Sequence, residues 1–302
     1  MSSAYLFPGQ GSQEVGMGQD LYNHVPEVRP VYEQADELLG LSLSTLCFEG
    51  PEAELTDTIN QQPALFVTSI AMLKAMQTAG WPAPAFVAGH SLGELSALVA
   101  AGSLEFSAGL QLVRKRGELM KEAGEQSPGS MAAVLGADMV QVEEACVEAV
   151  SLTNKPVQVA NDNCPGQIVI SGAPTAVQKA SALLSEMGVR KIVDLPITIA
   201  AHSQLMASAA EAFSTAVDNT PLAPPQIPII GNTTATPLTT VDDIRTELNA
   251  QLTGPVRWTE SMRYLVAQGV DTIVEVGVGD TLQKLMRRID RQVKRTQCSI
   301  SG

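Results

Sequence analysis

The chain has 302 residues, of which 45% are apolar and 17% charged, a composition typical of a globular protein of one or two domains. Its formal net charge of −13 opposes binding to a phosphate backbone, so we expect no nucleic-acid partner. No apolar stretch approaches the roughly 18 residues of a membrane helix, and the N-terminus lacks the basic lead-in of a signal peptide. We therefore expect a cytoplasmic protein that does not enter a membrane.

Residue types that bind metals or form disulfides are few and widely spaced. The four cysteines contain no Cys-x-x-Cys pair, and no two of the three histidines lie four residues apart, as they do on zinc-binding helices. We therefore predict reduced thiols, no disulfide scaffold and no metal site. The residues concerned are Cys47, Cys146, Cys164, Cys298, His24, His90 and His202.

The first 125 residues alternate short apolar strands with longer helices. Apolar spacing predicts a strand at 5–7, helices over 26–39 and 63–79, a strand at 85–88 and a helix over 92–101. Pro63 suits the first turn of its helix, because a proline there removes no hydrogen bond. Such alternation is typical of a largely parallel sheet covered by helices.

A different order of elements runs from about residue 127 to residue 195. The pattern predicts strand, helix, two strands, helix and strand, over 130–135, 138–150, 157–160, 167–170, 174–187 and 190–193. This βαββαβ order is that of a ferredoxin-like unit. The chain then resumes with a strand, a helix and a strand at 229–230, 242–250 and 272–276. We predict an α/β protein in which residues 1–126 and 197–302 form a large parallel-sheet domain, residues 127–196 form an inserted small one, and a ligand cleft lies between them.

The segment Gly89-His90-Ser91-Leu92-Gly93 lies between a predicted strand and a predicted helix. A serine on such a sharp turn needs glycine two residues before and after it, because the chain folds back closely there. Its hydroxyl is then exposed near a helix N-terminus, which favours developing negative charge. Ser91 is therefore a candidate nucleophile, although the five-residue pattern alone also fits an ordinary turn. Glu94 is explained by the helix dipole and is given no further role.

A serine nucleophile needs a base, and the chain offers three histidines. His90 adjoins Ser91, and neighbouring side chains at a turn diverge, so we predict a structural role for it. His24 lies in a polar connector and is expected at the surface. His202 remains as the base by elimination, although on its own it fits a buried core histidine equally well.

Arg116 lies on the apolar stripe of a helix predicted over 108–123, together with Leu112, Val113 and Met120. Arginine is almost never buried without a partner. One interpretation is an ion pair with an internal carboxylate. The other is that the partner is a substrate carboxylate, held by both arms of the guanidinium group.

Short motifs along nearly the whole chain together resemble the malonyl-CoA:acyl carrier protein transacylases, which load extender units in fatty-acid and polyketide synthesis. They occur in the family's order and, as a set, are highly specific. They are Phe7-Pro8-Gly9-Gln10-Gly11-Ser12-Gln13, Gln62-Pro63-Ala64-Leu65, Gly89-His90-Ser91-Leu92-Gly93-Glu94, Arg116-Gly117, Pro165-Gly166-Gln167, His202-Ser203, Pro255-Val256-x-Trp258 and Glu275-Val276-Gly277. The resemblance implies an α/β-hydrolase-like domain with a ferredoxin-like insertion, in agreement with the predicted elements.

The resemblance also implies a role for each site residue. Ser91 would be the acylated nucleophile, His202 its base and Arg116 the group that binds the malonyl carboxylate. The backbone N–H groups of Gln10 and Leu92 would form the oxyanion hole, and the main-chain carbonyl of Gln251 would orient the histidine. The implied reaction is ping-pong: malonyl passes from malonyl-CoA to serine, and then to the phosphopantetheine thiol of an acyl carrier protein. The enzyme needs no cofactor of its own, and we expect a monomer.

Two positions depart from the family pattern. Ala200-Ala201 precedes His202 where many relatives carry proline with an aromatic residue or serine. Small side chains there leave room beside the acyl α-carbon, so bulkier or uncharged acyl groups remain possible substrates. Val278 replaces a usual proline, which we interpret as structural. No family role is carried over to Gln62.

Basic residues are concentrated in two segments, 114–121 and 286–295. On an otherwise acidic chain, these segments are candidates for docking an acidic carrier protein and the phosphates of CoA. Each segment alone fits a solvated helix face equally well.

Three other functions are alternatives for a chain with these motifs. A hydrolase that clears acyl groups from carrier proteins would share Ser91 and His202 but would not need Arg116. A general esterase is disfavoured because no acid occupies an obvious triad position, and a silent carrier-docking subunit would not need the nucleophile. The choice between a fatty-acid and a polyketide pathway, and the identity of the carrier protein, are left open by the sequence.

Overall fold

A computed structural model describes residues 2–297 and contains two β-sheets. The larger sheet has the order β10-β9-β1-β2-β7-β8, and the smaller has the order β4-β5-β3-β6. In chain order the strands are β1 (Ser3–Phe7), β2 (Phe86–Gly89), β3 (Ser130–Leu135), β4 (Val157–Cys164), β5 (Gln167–Gly172), β6 (Lys191–Asp194), β7 (Ile229–Ile230), β8 (Pro237–Leu238), β9 (Thr272–Glu275) and β10 (Lys294–Gln297). Cys298, which the sequence analysis groups with the other thiols, lies outside the described residues.

Helices cover the larger sheet and one face of the smaller one. They are α1 (Gln19–His24), α2 (Arg29–Leu39), α3 (Leu43–Glu49), α4 (Glu52–Leu55), α5 (Thr58–Thr78), α6 (Gly93–Ala100), α7 (Phe106–Gln126), α8 (Met139–Thr153), α9 (Pro174–Glu186), α10 (Ala207–Asn219), α11 (Val241–Gln251), α12 (Trp258–Ala267) and α13 (Thr281–Ile289). Short 3-10 turns lie at Pro26–Val28 and Gln204–Met206. Within residues 2–297, no helix combines the length and apolar character needed to cross a bilayer.

The larger sheet is parallel except at one edge. The strands β10, β9, β1, β2 and β7 pair in parallel, and β8 returns antiparallel to β7. The predicted α/β class with a mainly parallel sheet is therefore confirmed. Because β1 and β2 run side by side with Phe7 opposite Gly89, the loops that follow them emerge next to each other at one edge of the sheet.

The smaller sheet is antiparallel throughout, and its strands lie between Ser130 and Asp194. With α8 and α9 it has the predicted βαββαβ order. The domain boundaries at 126/127 and 196/197 stay predictions. β4 joins the smaller sheet to the rest of the chain, because Asp162 N–H donates to the Val256 carbonyl at 2.9 Å and Val256 N–H donates to the Ala160 carbonyl at 2.8 Å.

Helix α5 begins earlier than the sequence predicts. The Asp57 side chain caps it by accepting from Ile59 N–H at 3.1 Å, so Pro63 lies inside the helix and the prediction that it occupies the first turn is wrong. A proline there cannot donate to the carbonyl of Ile59. Arg114 Nη1 donates to that carbonyl instead, at 3.3 Å, and so satisfies the acceptor that proline leaves open.

Candidate active site

Ser91 lies on a tight turn between β2 and α6, with a positive backbone φ of 52°. A non-glycine residue with such a φ is strained, and strain of this kind is concentrated at functional sites. A Cβ on Gly89 would overlap the backbone of Gly93 and Glu94, and a Cβ on Gly93 would overlap the carbonyl of Phe7. Both glycines are therefore required by close backbone approach, as the sequence predicts for a nucleophile turn.

His202 forms a hydrogen-bonded pair with Ser91, the two atoms Ser91 Oγ and His202 Nε2 being 2.8 Å apart. The other ring nitrogen, Nδ1, lies 2.8 Å from the Gln251 carbonyl and 3.2 Å from the Gly254 carbonyl. Carbonyl oxygens only accept, so Nδ1 carries the proton and Nε2 accepts from the serine hydroxyl. The ring is thus in the tautomer that a base acting on Ser91 requires.

Burial and the nearby Arg116 guanidinium lower the pKa of His202 to about 3. Desolvation is the larger cause, because it penalises the charged imidazolium. The positive charge of Arg116 acts in the same direction. His202 is therefore neutral at pH 7 and able to accept a proton.

Arg116 is buried in α7, with 1% of its surface exposed, and its guanidinium points into the site. Nη2 donates to Ser91 Oγ at 3.1 Å and to Gln251 Oε1 at 2.9 Å, while Nη1 donates to Gln62 Oε1 at 2.8 Å. Nε has no partner. No described carboxylate forms an ion pair with it, so the internal ion pair that the sequence allowed is absent among residues 2–297. Burial lowers the pKa of Arg116 to about 10, which leaves it charged at pH 7.

Gln10 and Leu92 place two backbone N–H groups near the nucleophile turn. Leu92 follows Ser91 directly at the start of α6. A Cβ on Gly9 would overlap the carbonyl of His90, so the Gln10 loop lies against this turn. Within the described part of the chain, neither N–H group donates to a protein acceptor. Both are therefore open to an acceptor from outside the chain.

The two other histidines lie as the sequence predicts, with His90 packed within the fold and His24 at the surface. His90 is half-buried, with Nε2 2.8 Å from Asn163 Oδ1 and its ring edge-on to Trp258. His24 is exposed, and its Nδ1 lies 2.9 Å from the carbonyl of Asp20. Neither imidazole hydrogen-bonds to the Ser91 hydroxyl, whose described partners are His202 and Arg116.

Three polar side chains at the site were not expected from the sequence. Asn232 Oδ1 accepts from Ser91 N–H at 2.8 Å, and Gln158 Nε2 donates to the His202 carbonyl at 3.1 Å and to the Thr253 carbonyl at 2.9 Å. Glu94 is fully buried and bonds to both Asn232 and Gln251. Only Glu94 carried a signal, because it is the one charged residue in the otherwise apolar or small segment Gly93–Ala100.

A family model described as an acyl transferase domain matches residues 4–300. The chain belongs to this acyl transferase family. It is similar to a malonyl CoA-acyl carrier protein transacylase of Bacillus subtilis (strain 168), with 45% identity over 291 residues, or 96% of this chain and 91% of the relative. It is also similar to the polyketide biosynthesis protein ThaF of Burkholderia thailandensis, with 42% identity over 287 residues, or 95% of this chain and 24% of that protein.

Among solved structures, the acyltransferase is similar to a malonyl transacylase in complex with its type II polyketide synthase acyl carrier protein. The TM-score is 0.96 with 36% identity, and the match covers 100% of this chain and 97% of the other. The likeness extends over both sheets, which confirms the family fold expected from the motifs.

The two basic segments of this acyltransferase differ in how many of their basic side chains are exposed and not engaged with other residues. In the first, Arg116 is buried, Arg114 bonds to Glu118 and Lys121 pairs with Asp57 at 2.7 Å. Only Lys115 in that segment is exposed without an ion pair to a described residue, so the segment offers one free basic side chain. The second segment, at the end of α13, exposes Arg287, Arg288, Arg291 and Lys294. Of these, Arg288 is engaged with the turn between β4 and β5.

Proposed function

We propose that this acyltransferase moves a malonyl group from malonyl-CoA to the phosphopantetheine thiol of an acyl carrier protein, through an ester at Ser91. One observation carries the assignment: Ser91 Oγ lies 2.8 Å from His202 Nε2 and 3.1 Å from Arg116 Nη2. A nucleophile, a neutral base and a cation that forms no ion pair with a carboxylate of residues 2–297 thus meet at one oxygen atom. This combination suits an acyl group that carries its own carboxylate.

In the first half-reaction, Ser91 Oγ attacks the thioester carbonyl while His202 Nε2 takes the hydroxyl proton. The backbone N–H groups of Gln10 and Leu92 would stabilise the tetrahedral oxyanion, and one such donor is typically worth about 10²–10³ in rate. The intermediate collapses when the C–S bond breaks. The CoA thiolate leaves with the proton from His202, and malonyl remains on Ser91.

The second half-reaction reverses these steps with a different thiol. His202 takes the proton of the phosphopantetheine thiol, and the thiolate attacks the malonyl ester. Ser91 Oγ then leaves and recovers its proton from His202. The phosphopantetheine group belongs to the carrier protein, so the enzyme contributes only side chains and backbone to the chemistry and needs no cofactor.

Arg116 gives the reaction its preference for a dicarboxylic acyl group. The guanidinium is held by the side-chain oxygens of Gln62 and Gln251, which accept hydrogen bonds without neutralising its charge. A malonyl carboxylate would supply the missing negative charge and accept two N–H groups. An acetyl group offers neither, so we expect it to be loaded more slowly.

The alternative function is hydrolysis of acyl groups on the same scaffold, with water in place of the carrier thiol. Steady-state rates measured over a grid of malonyl-CoA and carrier-protein concentrations distinguish the two. Transfer through an acyl-enzyme predicts parallel double-reciprocal lines, and malonyl appears on the carrier faster than as free malonate. Intersecting lines, or free malonate as the main product, would support the alternative.

The pathway and cellular setting belong to the same proposal. The relatives include one named for polyketide biosynthesis and one named as a malonyl CoA-acyl carrier protein transacylase, so both fatty-acid and polyketide carriers are proposed partners. We place the enzyme in the cytoplasm, where the free thiols of Cys47, Cys146 and Cys164 stay reduced. We also propose that the enzyme is a monomer.

A further inference from the structure

Glu94 is a buried carboxylate that the mechanism above does not use. It lies in the first turn of α6, three residues after the nucleophile, with 0% of its surface exposed. Oε1 accepts from Asn232 N–H at 2.9 Å and from Asn232 Nδ2 at 2.7 Å, and Oε2 accepts from Gln251 Nε2. Burial and the nearby Glu247 raise the pKa of Glu94, whereas three N–H donors favour its charged form.

The two amides that Glu94 binds both hold the nucleophile turn. Asn232 Oδ1 accepts from Ser91 N–H at 2.8 Å, and its Nδ2 donates to the Gly89 carbonyl at 2.8 Å. Gln251 Nε2 donates to the Ser91 carbonyl at 3.1 Å. These contacts depend on each amide having its NH₂ group toward Glu94 and its oxygen away from it.

Gln251 also connects Glu94 to Arg116 and His202. Its side-chain Oε1 accepts from Arg116 Nη2 at 2.9 Å, and its main-chain oxygen accepts from His202 Nδ1 at 2.8 Å. All three contacts to the Glu94 carboxyl oxygens come from N–H donors, so Glu94 acts as the acceptor and fixes the Gln251 amide with Oε1 toward the guanidinium. Glu94 is also the negative charge that counters the effect of burial on Arg116.

We propose that Glu94 is a positioning residue for acyl transfer, which sets the orientation of the Gln251 amide and thereby holds Arg116 where it binds the malonyl carboxylate. The inference rests on the proposed function, since it requires Arg116 to bind that carboxylate. Glu94 itself touches no reacting atom and acts through Gln251 and Asn232.

Glu94→Gln tests this role because it keeps the size of the side chain and replaces one oxygen with an NH₂ group. The Oε1 site receives two N–H groups from Asn232, so the new amide keeps its oxygen there and turns its NH₂ group toward Gln251 Nε2. Two donors then face each other. The Gln251 amide relieves this by turning over, which points its own NH₂ group at the Arg116 guanidinium.

The experiment measures initial rates of acyl-enzyme formation by intact mass, over a series of malonyl-CoA and acetyl-CoA concentrations. For Glu94→Gln we expect kcat/KM with malonyl-CoA to fall roughly ten- to hundred-fold, chiefly through KM, as for loss of a hydrogen bond to a charged group. Acetyl loading, which does not use the clamp, should change by less than about threefold.

Glu247→Gln is the matched control. Glu247 is a second buried carboxylate that holds the Asn232 loop, through Thr233 N–H at 2.7 Å and Thr233 Oγ1 at 2.8 Å. Among the described residues, its carboxylate hydrogen-bonds to neither Gln251 nor Arg116. We expect this variant to lower the melting temperature without changing the ratio of malonyl to acetyl loading. A purely structural role for Glu94 would give the same result in both variants.

Equal losses for the two thioesters in Glu94→Gln, or an unchanged ratio, would overturn the inference. If that variant does not fold, Glu94→Asp serves instead: it keeps the charge but draws the carboxylate back by one methylene, and a smaller shift in the same direction is expected. No shift in its ratio would count against the proposal. Failure of the wild type itself to load malonyl would contradict the proposed function, and so the two failures are distinguishable.

Discussion

Arg116 Nη2 donates to Ser91 Oγ at 3.1 Å, so the proposed carboxylate clamp touches the nucleophile itself. This short distance limits the acyl groups that fit. A carboxylate bound to Arg116 must lie only one or two bonds from the carbonyl that Ser91 attacks, as it does in malonyl. A succinyl group places its carboxylate one methylene farther away and is expected to load poorly.

The depressed pKa of His202 makes a prediction about acid conditions. Because its pKa is about 3, the base stays neutral as pH falls through 6.5, the ordinary value for histidine. We expect kcat/KM for acetyl loading to stay level through pH 6.5 and to decline only near pH 4. In Arg116→Ala, where one cause of the depression is removed, the decline should move to higher pH. A wild-type midpoint near 6.5 would contradict this account.

The same pKa links folding stability to pH. Between pH 6.5 and about 3 the unfolded chain binds a proton at His202 that the folded chain does not, so the free energy of unfolding falls as pH is lowered through this window. Urea unfolding at pH 7 and pH 5 should show a larger loss for the wild type than for His202→Gln. An equal loss in both proteins would show that unfolding adds no proton at His202. The pKa of His202 in the folded protein would then not be lowered.

We expect the size of the side chain at Ala201, next to the base, to set the room beside the acyl group. It packs against a small apolar cluster of the smaller sheet that includes Met131, Ala160 and Val169. We expect the wild type to load methylmalonyl-CoA at a measurable rate, and Ala201→Phe to lower this rate relative to malonyl roughly tenfold or more. Ala201→Ser, which adds a single atom, is the control. An unchanged ratio in Ala201→Phe would place the α-substituent elsewhere.

The exposed end of α13 is the stronger of the two candidate surfaces for the carrier protein. Arg287 and Arg291 are exposed there, and an acidic carrier would be attracted to them. Arg287→Glu with Arg291→Glu should raise the KM for carrier protein several-fold, and more at low salt, while loading from malonyl-CoA is unchanged. Lys74→Glu, at an exposed position on α5, is the charge-matched control and should change neither rate.

The sequence predicted those parts of the site that depend on local pattern. Ser91 follows from glycine spacing between a strand and a helix, and Arg116 from a charge on an apolar stripe. The roles of Gln10, Leu92 and Gln251 came from the family resemblance alone and stay proposals. Their positions next to the nucleophile turn and the base agree with those roles.

The rest depended on contacts between distant parts of the chain. Glu94 bonds to Asn232 and Gln251, which are 138 and 157 residues away, and nothing in local spacing indicates such a pair. A carboxylate in the first turn of a helix is fully explained by the helix dipole until its burial is known. The helices over 207–219 and 258–267 have no counterpart among the predicted elements, although the buried residues Trp258, Met262 and Leu265 keep helical spacing.

In the proposed reaction, malonyl is carried on Ser91 and passed on to a thiol. Intact mass after brief incubation with malonyl-CoA tests it most directly, on the wild type, Ser91→Ala and Arg116→Ala, with acetyl-CoA and succinyl-CoA alongside. We expect one malonyl adduct on the wild type, none on Ser91→Ala and a strongly reduced one on Arg116→Ala. The wild-type adduct should be discharged to holo carrier protein faster than to water. An adduct that persists in Ser91→Ala, or that carrier protein does not discharge, would contradict it.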